Sequence, residues 1–151
     1  MISAEVPDSS IFVLGRGSSL ASARTAALIM KEAARRPVEG MSVPQFRHGP
    51  LEMADHDLTA LVFAGDPAER ALNERMRTDL AATGARCVWV DVEPSARPPR
   101  GPSIVTPALS GRDARPLAEI VPMQLLTVVL AERLGQEPGQ FRQIDKITRT
   151  L

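Results

Sequence analysis

The sequence predicts an α/β protein, a three-layer αβα sandwich of flavodoxin type built on a five-stranded parallel sheet. Two observations lead to this prediction. Short apolar segments alternate with longer amphipathic segments along the 151 residues, which is the order of elements in a βαβ fold. The segments at residues 11–14 and 58–64 are also apolar at nearly every position, as expected for strands covered by helices on both faces of a sheet.

The first half of the chain predicts a strand, a helix and a second strand. Residues 11–14, Ile-Phe-Val-Leu, form the first strand, and the glycine-containing segment at residues 15–19 turns the chain. A serine-capped helix follows from Leu20 to Arg36, where proline stops it. Residues 41–46 are predicted to form a short second strand.

The second half continues the alternation. The remaining elements are predicted in the order strand, helix, strand, strand, helix, at residues 58–64, 68–83, 86–92, 103–106 and 116–134. Gly84 stands where glycine commonly ends a helix. The chain shows no internal repeat, so one domain is predicted over residues 1–151, with an N-terminal lead at 1–10 and a polar tail at 136–151.

Composition excludes several classes of partner. Acidic and basic residues balance at 18 each, so no basic surface indicates nucleic acid. The longest apolar run, residues 120–131, is too short to span a bilayer. A single cysteine, Cys87, fits a reducing compartment and a buried apolar position. With no signal-peptide pattern at the N-terminus, the prediction is a cytoplasmic protein without membrane or nucleic-acid partners.

Two uncommon side-chain types are candidates for acid–base chemistry. His48, one of two histidines, precedes Gly49-Pro50, where neither helix nor strand continues easily. Its imidazole is therefore predicted to lie on a turned loop, where its titration range suits proton transfer. Only two of the 18 basic residues are lysines, Lys31 and Lys146, and lysine, unlike arginine, serves as a base when its pKa is lowered.

The segment Gly15-Arg16-Gly17-Ser18-Ser19 lies where ligands bind in doubly wound folds, at the carboxyl end of a strand. It does not complete the dinucleotide fingerprint, because Leu20 stands where the third glycine is needed. Free N–H groups at a helix N-terminus and two hydroxyls suit an anion such as phosphate. Helix capping within a tight turn explains the same residues equally well.

Asp55, His56 and Asp57 are three potential metal ligands in a row. Consecutive residues rarely converge on one ion, and no further histidine or cysteine cluster accompanies them. The sequence therefore predicts no metal site. It also predicts no cofactor.

Five segments resemble, in order and spacing, the sugar isomerase (SIS) family. They are VLGRGSS, AALIMKE, FRHGPLEMAD, VPMQLLTVVLAERLG and QFRQIDKIT. The resemblance runs from about Ile11 to Thr148 and is greatest to the second SIS half of the isomerase domain of glucosamine-6-phosphate synthase. It implies an αβα fold, a sugar phosphate ligand, and aldose–ketose isomerase chemistry on a hexose or amino-sugar phosphate.

The resemblance also implies three catalytic positions. Glu32 ends the Lys-Glu helix motif, His48 is the histidine of the His-Gly-Pro motif, and Lys146 is the lysine of the C-terminal tail. Isomerisation needs a base to move a proton between C1 and C2, an acid–base group to open the sugar ring, and a cation beside the developing oxyanion. Glutamate, histidine and lysine suit these roles respectively. The predicted substrate-binding residues are Arg16, Gly17, Ser18, Ser19 and Lys31.

Several alternatives stay open at this point. In the family the histidine reaches a neighbouring subunit, which implies a homodimer or pairing with a second SIS half. The phosphate loop of first SIS halves has no match here, and Ile29 and Thr25 replace a lysine and a glutamate of the helix motif. The chain is thus a half-module that uses another chain's phosphate site, a homodimer that uses residues 15–19, a binding or regulatory module without turnover, or part of a longer two-SIS polypeptide.

Overall fold

The computed structural model describes residues 10–92, 101–109 and 114–143. The strands are β1 Ser10–Gly15, β2 Val38–Ser42, β3 Leu58–Phe63, β4 Arg86–Asp91 and β5 Ser103–Val105. The α-helices are α1 Ser19–Ala33, α2 Val43–Arg47, α3 Pro67–Thr83 and α4 Arg115–Arg133, and a short 3-10 helix covers Pro50–Met53. Within the described ranges, no helix has the length and hydropathy needed to span a bilayer.

The strands form one sheet, in the order β2-β1-β3-β4-β5, and every pairing is parallel. This confirms the predicted five-stranded parallel sheet. The carboxyl ends of the strands, including Gly15, Ser42 and Asp91, meet at one edge, which we call the carboxyl edge. The amino ends, including Ser10 and Val38, meet at the opposite edge, the amino edge.

Helices cover both faces of the sheet. Successive strand residues point to opposite faces, so Ile11 and Val13 pack in a core with α1 and with Met123 of α4. Phe12 and Leu14 belong to a second core with residues of α2 and α3. These two apolar layers confirm the predicted three-layer sandwich.

The close packing of α1 on β2 depends on Gly40. A Cβ atom at this residue would lie 2.5 Å from the carbonyl oxygen of Ala23 and 2.8 Å from Cα of Arg24, both on α1. The helix therefore runs directly along the strand, in the opposite direction. Its first turn follows β1 at the carboxyl edge, and its last turn precedes β2 at the amino edge.

The prediction of a strand at residues 41–46 is wrong. The strand ends at Ser42, and α2 begins at the next residue. Ser42 Oγ accepts a hydrogen bond from the backbone N–H of Gln45, whose side-chain oxygen accepts one from the backbone N–H of Ser42. This reciprocal capping box starts a helix, and Pro44 fits its first turn because no backbone donor is needed there.

Candidate functional site

The turn between β1 and α1, together with the first residue of α1, contains four of the predicted substrate-binding residues. Gly17 adopts a φ of 54°, in the left-handed region that favours glycine. Ser18 Oγ donates a hydrogen bond to Asp66 at 3.2 Å. The buried Ser19 donates one to Glu119 at 2.6 Å. Both hydroxyls that the sequence offers to a phosphate are thus bound to carboxylates of the chain itself.

Glu119 joins α4 to the start of α1. Its side chain is 1% exposed and accepts hydrogen bonds from Ser19 at 2.6 Å and Ser22 at 2.7 Å. Burial raises the pKa of this carboxyl above its ordinary value, while the two hydroxyls and the nearby Arg115 guanidinium oppose the rise. The two contacts link residues that are 100 and 97 positions apart in the chain.

The pH dependence of unfolding is expected to reveal the raised pKa of Glu119. Its contribution to stability is fully present below the unfolded pKa of 4.5, because the folded carboxyl binds its proton at higher pH than the unfolded one. That contribution is lost as the pH rises through the folded pKa. In urea titrations between about pH 8 and pH 5, the free energy of unfolding of the wild type should increase relative to that of Glu119→Gln as the pH falls.

The matched control for this titration is Glu132→Gln, which changes an exposed carboxylate on the same helix. Its unfolding free energy should follow that of the wild type at each pH. A difference between Glu119→Gln and the wild type that stays constant over the whole pH range would contradict the raised pKa.

Two further carboxylates lie beside the turn that precedes α1. A side chain at Gly17 would meet both carboxylate oxygens of Glu69 at 2.7 Å. Asp66 lies 3.2 Å from Arg115 Nε. Together with Glu119, these groups supply negative charge at the N-terminus of α1, where the helix dipole and free N–H groups favour it. A substrate phosphate at this turn would have to displace the protein's own carboxylates.

The predicted base, Glu32, lies at the other end of α1. It is half-buried in the last turn of the helix, beside the exposed Lys31. At 1.5 Å per residue, Glu32 and Ser18 are about 20 Å apart along the helix axis. A single sugar phosphate therefore does not contact both Glu32 and the Ser18 turn within one copy of the chain.

His48 is exposed at the C-terminal end of α2. This helix packs through Val43 and Phe46 on the sheet face that α1 does not cover. Glu32 and His48 thus belong to helices on opposite faces of the sheet. The prediction that both act on one substrate therefore depends on a second chain.

The described part of the C-terminal tail contacts the end of α1 at the amino edge, near Glu32. Arg35 Nη2 donates a hydrogen bond to the carbonyl oxygen of Gln140 at 2.8 Å. Arg35 itself has a φ of 50°, a left-handed conformation that is uncommon for a residue other than glycine. Lys146, the predicted cation, lies outside the described residues, so its placement in the site stays a prediction.

Asp55, His56 and Asp57 offer ligand atoms within 4.8 Å of one another, all on exposed side chains. The backbone N–H of Asp57 donates to Asp55 Oδ1 at 2.8 Å, and His56 Nε2 lies 3.5 Å from Asp57 Oδ1. Asp side chains commonly stabilise turns in this way. The arrangement is that of a solvated turn, and the expectation that no metal binds here stays a prediction.

Three residues that were not predicted from the sequence lie near predicted site residues: Glu119 and Asp66 at the start of α1, and Arg75 in a pocket with Arg16. A signal existed for Glu119, the only acid in the apolar segment LAEIVPM, since such a residue on a buried helix needs a polar partner. Asp66 has no such local signal, because its partner Ser18 lies 48 residues away. Arg75 lines a pocket with residues of two other elements, which no local pattern indicates.

Comparison with known proteins identifies relatives that match this architecture. The family model of the SIS domain matches residues 6–127. The chain is 28% identical over 140 residues to the isomerizing glutamine–fructose-6-phosphate aminotransferase of Agrobacterium fabrum, which covers 90% of this chain and 23% of that protein. The enzyme of the same name from Haemophilus influenzae is 29% identical over 137 residues, covering 88% and 22% respectively. The chain thus spans less than a quarter of the length of these relatives.

Solved structures share the fold. The C-terminal domain of glucosamine-fructose-6-phosphate aminotransferase from Francisella tularensis matches with a TM-score of 0.77 at 20% identity, covering 87% of this chain and 37% of that one. Tagatose-6-phosphate ketose/aldose isomerase from Escherichia coli matches with a TM-score of 0.72 at 24% identity, covering 89% and 38%. Because the family model extends over most of the chain, from before β1 into α4, the chain belongs to the SIS domain family.

Proposed function

We propose that the chain binds a hexose or amino-sugar phosphate and catalyses aldose–ketose isomerisation at a site completed by a second copy of itself. Glu32 moves the proton between C1 and C2, His48 opens the sugar ring, and Lys146 stabilises the oxyanion. The proposal is carried by the SIS match over residues 6–127, supported by relatives that are named isomerizing glutamine–fructose-6-phosphate aminotransferases. A proton moved within the substrate requires no cofactor.

The placement of Glu32 favours this role. It lies half-buried at the amino edge, away from the carboxylates that crowd the start of α1. The tail that leads to Lys146 contacts Arg35, only three residues after Glu32. The proposed phosphate contacts of Ser18 and Ser19 require a rearrangement of existing hydrogen bonds, because each hydroxyl must exchange a carboxylate acceptor for a phosphate oxygen.

An exposed apolar stripe on α4 supports pairing with a second copy. Leu117, Val121, Leu125 and Val128 recur at helical spacing and are 62%, 49%, 64% and 40% exposed. Contiguous exposed apolar surface of this kind marks an interaction surface. In a two-fold dimer the stripe meets its own copy, so the contact buries apolar groups against each other and no unpaired charge. A second copy also supplies a second Glu32 and a second His48.

The Leu125→Glu variant is expected to separate the two copies. A carboxylate at the centre of the stripe would be buried twice in a two-fold interface without a partner, which is costly. Sedimentation equilibrium should find a dimer for the wild type and a monomer for the variant. Exchange of the C1 or C2 hydrogen of fructose 6-phosphate with D₂O, followed by NMR, should disappear together with the dimer.

The control for this experiment is Ala71→Glu, which adds the same charge at an exposed position of α3, on the other side of the sheet. It should remain dimeric and keep the exchange activity. A wild-type chain that exchanges the sugar hydrogen as a monomer would contradict the shared site.

Binding without turnover is the second candidate function. The observation that favours it is the separation of two predicted catalytic residues within one copy, since Glu32 and His48 belong to helices on opposite faces of the sheet. Calorimetry separates the two functions when it is combined with the NMR experiment. Saturable binding of fructose 6-phosphate or glucosamine 6-phosphate by the wild type, without hydrogen exchange at C1 or C2, would select the binding module.

A further inference from the structure

We propose that the chain has a second anion site, on the sheet face opposite to α1, which binds the phosphate group of a small phosphomonoester. The site is a pocket of about 290 Å³. The residues that line it are Arg16, Arg47, Leu72, Arg75 and Asp79. The proposal goes beyond isomerisation: none of the three predicted catalytic residues lines this pocket, although Arg16 is also one of the predicted substrate-binding residues.

Three separate elements build the pocket. Arg16 directly follows β1. Because side chains alternate between the two faces along a strand, Arg16 falls on the same side as Phe12 and Leu14, which pack towards α2 and α3. Arg47 is the last residue of α2. The helix α3 contributes residues 72, 75 and 79, whose spacing places them along one side of that helix. The turn at Arg16 thus faces the α3 layer, whereas Ser19 contacts α4 in the other layer.

The charges in the pocket do not cancel. Arg47 Nη2 lies 2.6 Å from Asp79 Oδ2, so this pair compensates itself and holds Arg47 in place. In the part of the chain that the structure describes, neither Arg16 nor Arg75 forms a salt bridge with an acid, and Arg16 Nε is buried without a hydrogen-bond partner. Two guanidinium groups that have no ion-pair partner among the described residues therefore line one small concavity.

This charge pattern selects the ligand class. A phosphomonoester carries close to two negative charges at neutral pH, which matches the two guanidinium groups that have no ion-pair partner among the described residues. Planar guanidinium forks bind phosphate oxygens through paired hydrogen bonds. The pocket is near the lower end of the range of about 300–1,000 Å³ found for small-molecule sites, so it suits a short ligand. Leu72 offers an apolar surface to the carbon part of that ligand.

Calorimetry with glycerol 3-phosphate and with inorganic phosphate tests the proposal at low ionic strength. Arg75→Gln should weaken glycerol 3-phosphate binding by about ten- to hundredfold, the size expected when a charge-assisted hydrogen bond to a phosphate is lost. Arg75 is exposed, so this variant should keep the wild-type unfolding free energy. Arg16→Gln should weaken binding to a similar extent.

Two controls locate the effect. Arg24→Gln removes the same charge from an exposed position of α1, on the other face of the sheet, and should bind as the wild type does. Glu32→Gln should also bind glycerol 3-phosphate normally, so failure of the isomerase proposal would leave this result unchanged.

Three results would overturn the assignment. The first is that the wild type shows no saturable binding up to about 10 mM ligand, so that any binding free energy is weaker than about 3 kcal/mol. The second is that Arg75→Gln and Arg16→Gln bind glycerol 3-phosphate as tightly as the wild type. The third is that inorganic phosphate binds as tightly as glycerol 3-phosphate, which would show that the pocket does not recognise the carbon part of the ligand.

Discussion

The Glu32→Gln variant is expected to lose about 10²- to 10⁴-fold in the rate of hydrogen exchange at C1 and C2 of fructose 6-phosphate, because glutamine does not accept the proton. The substitution keeps the shape of the side chain, and Glu32 is only half-buried in the last turn of α1. Urea titration should therefore give a nearly unchanged free energy of unfolding, and NMR in D₂O measures the exchange.

Glu39→Gln provides the comparison for this variant, since it removes one carboxylate from an exposed position of the neighbouring strand β2. Its exchange rate should equal that of the wild type. An exchange rate in Glu32→Gln equal to that of the wild type would show that this carboxylate is not the base, and the proposed role of Glu32 in isomerisation would then be wrong.

The Asp91→Ala variant is expected to lose about 3–5 kcal/mol of unfolding free energy, because it breaks a buried bidentate ion pair by removing one of its two members. Asp91 ends β4 at the carboxyl edge and is 2% exposed. Its two carboxylate oxygens accept hydrogen bonds from the two terminal nitrogens of Arg70, each at 2.7 Å. This bidentate pair joins α3 to the sheet. Urea titration monitored by circular dichroism measures the loss.

A half-exposed ion pair in the same layer is the reference for that loss. Asp79 pairs with Arg47 at 2.6 Å, with 39% and 41% of the two side chains exposed. Asp79→Ala should lose no more than about 1 kcal/mol, because solvent screens such pairs. Equal losses in Asp79→Ala and Asp91→Ala would contradict the argument that burial decides the cost.

Much of the fold follows from local sequence. Continuous apolar runs predict the buried strands β1 and β3, and Gly84 ends α3 in the left-handed conformation typical of a helix C-terminus. The error at β2 has a physical cause. The apolar residues Val43 and Phe46 fit a strand, but the Ser42–Gln45 capping box and the proline between them start a helix that buries both.

The site is less predictable than the fold, because its contacts join distant parts of the chain. Family resemblance marks Glu32 and His48, yet only the tertiary structure shows that they lie on helices of opposite layers. The pairing of Ser19 with Glu119, 100 residues later, has no signature in the local sequence around Ser19. The same holds for the pocket that brings Arg16 and Arg75 together.

The most direct measurement mixes two inactive variants, Glu32→Gln and His48→Asn, and follows hydrogen exchange on fructose 6-phosphate after the subunits have re-paired. If each site takes its carboxylate from one copy and its imidazole from the other, half of the dimers formed from an equal mixture are mixed. Each mixed dimer has one intact site of two, so the mixture should recover about a quarter of the wild-type rate. A mixture no more active than either variant alone would contradict a site shared between two copies.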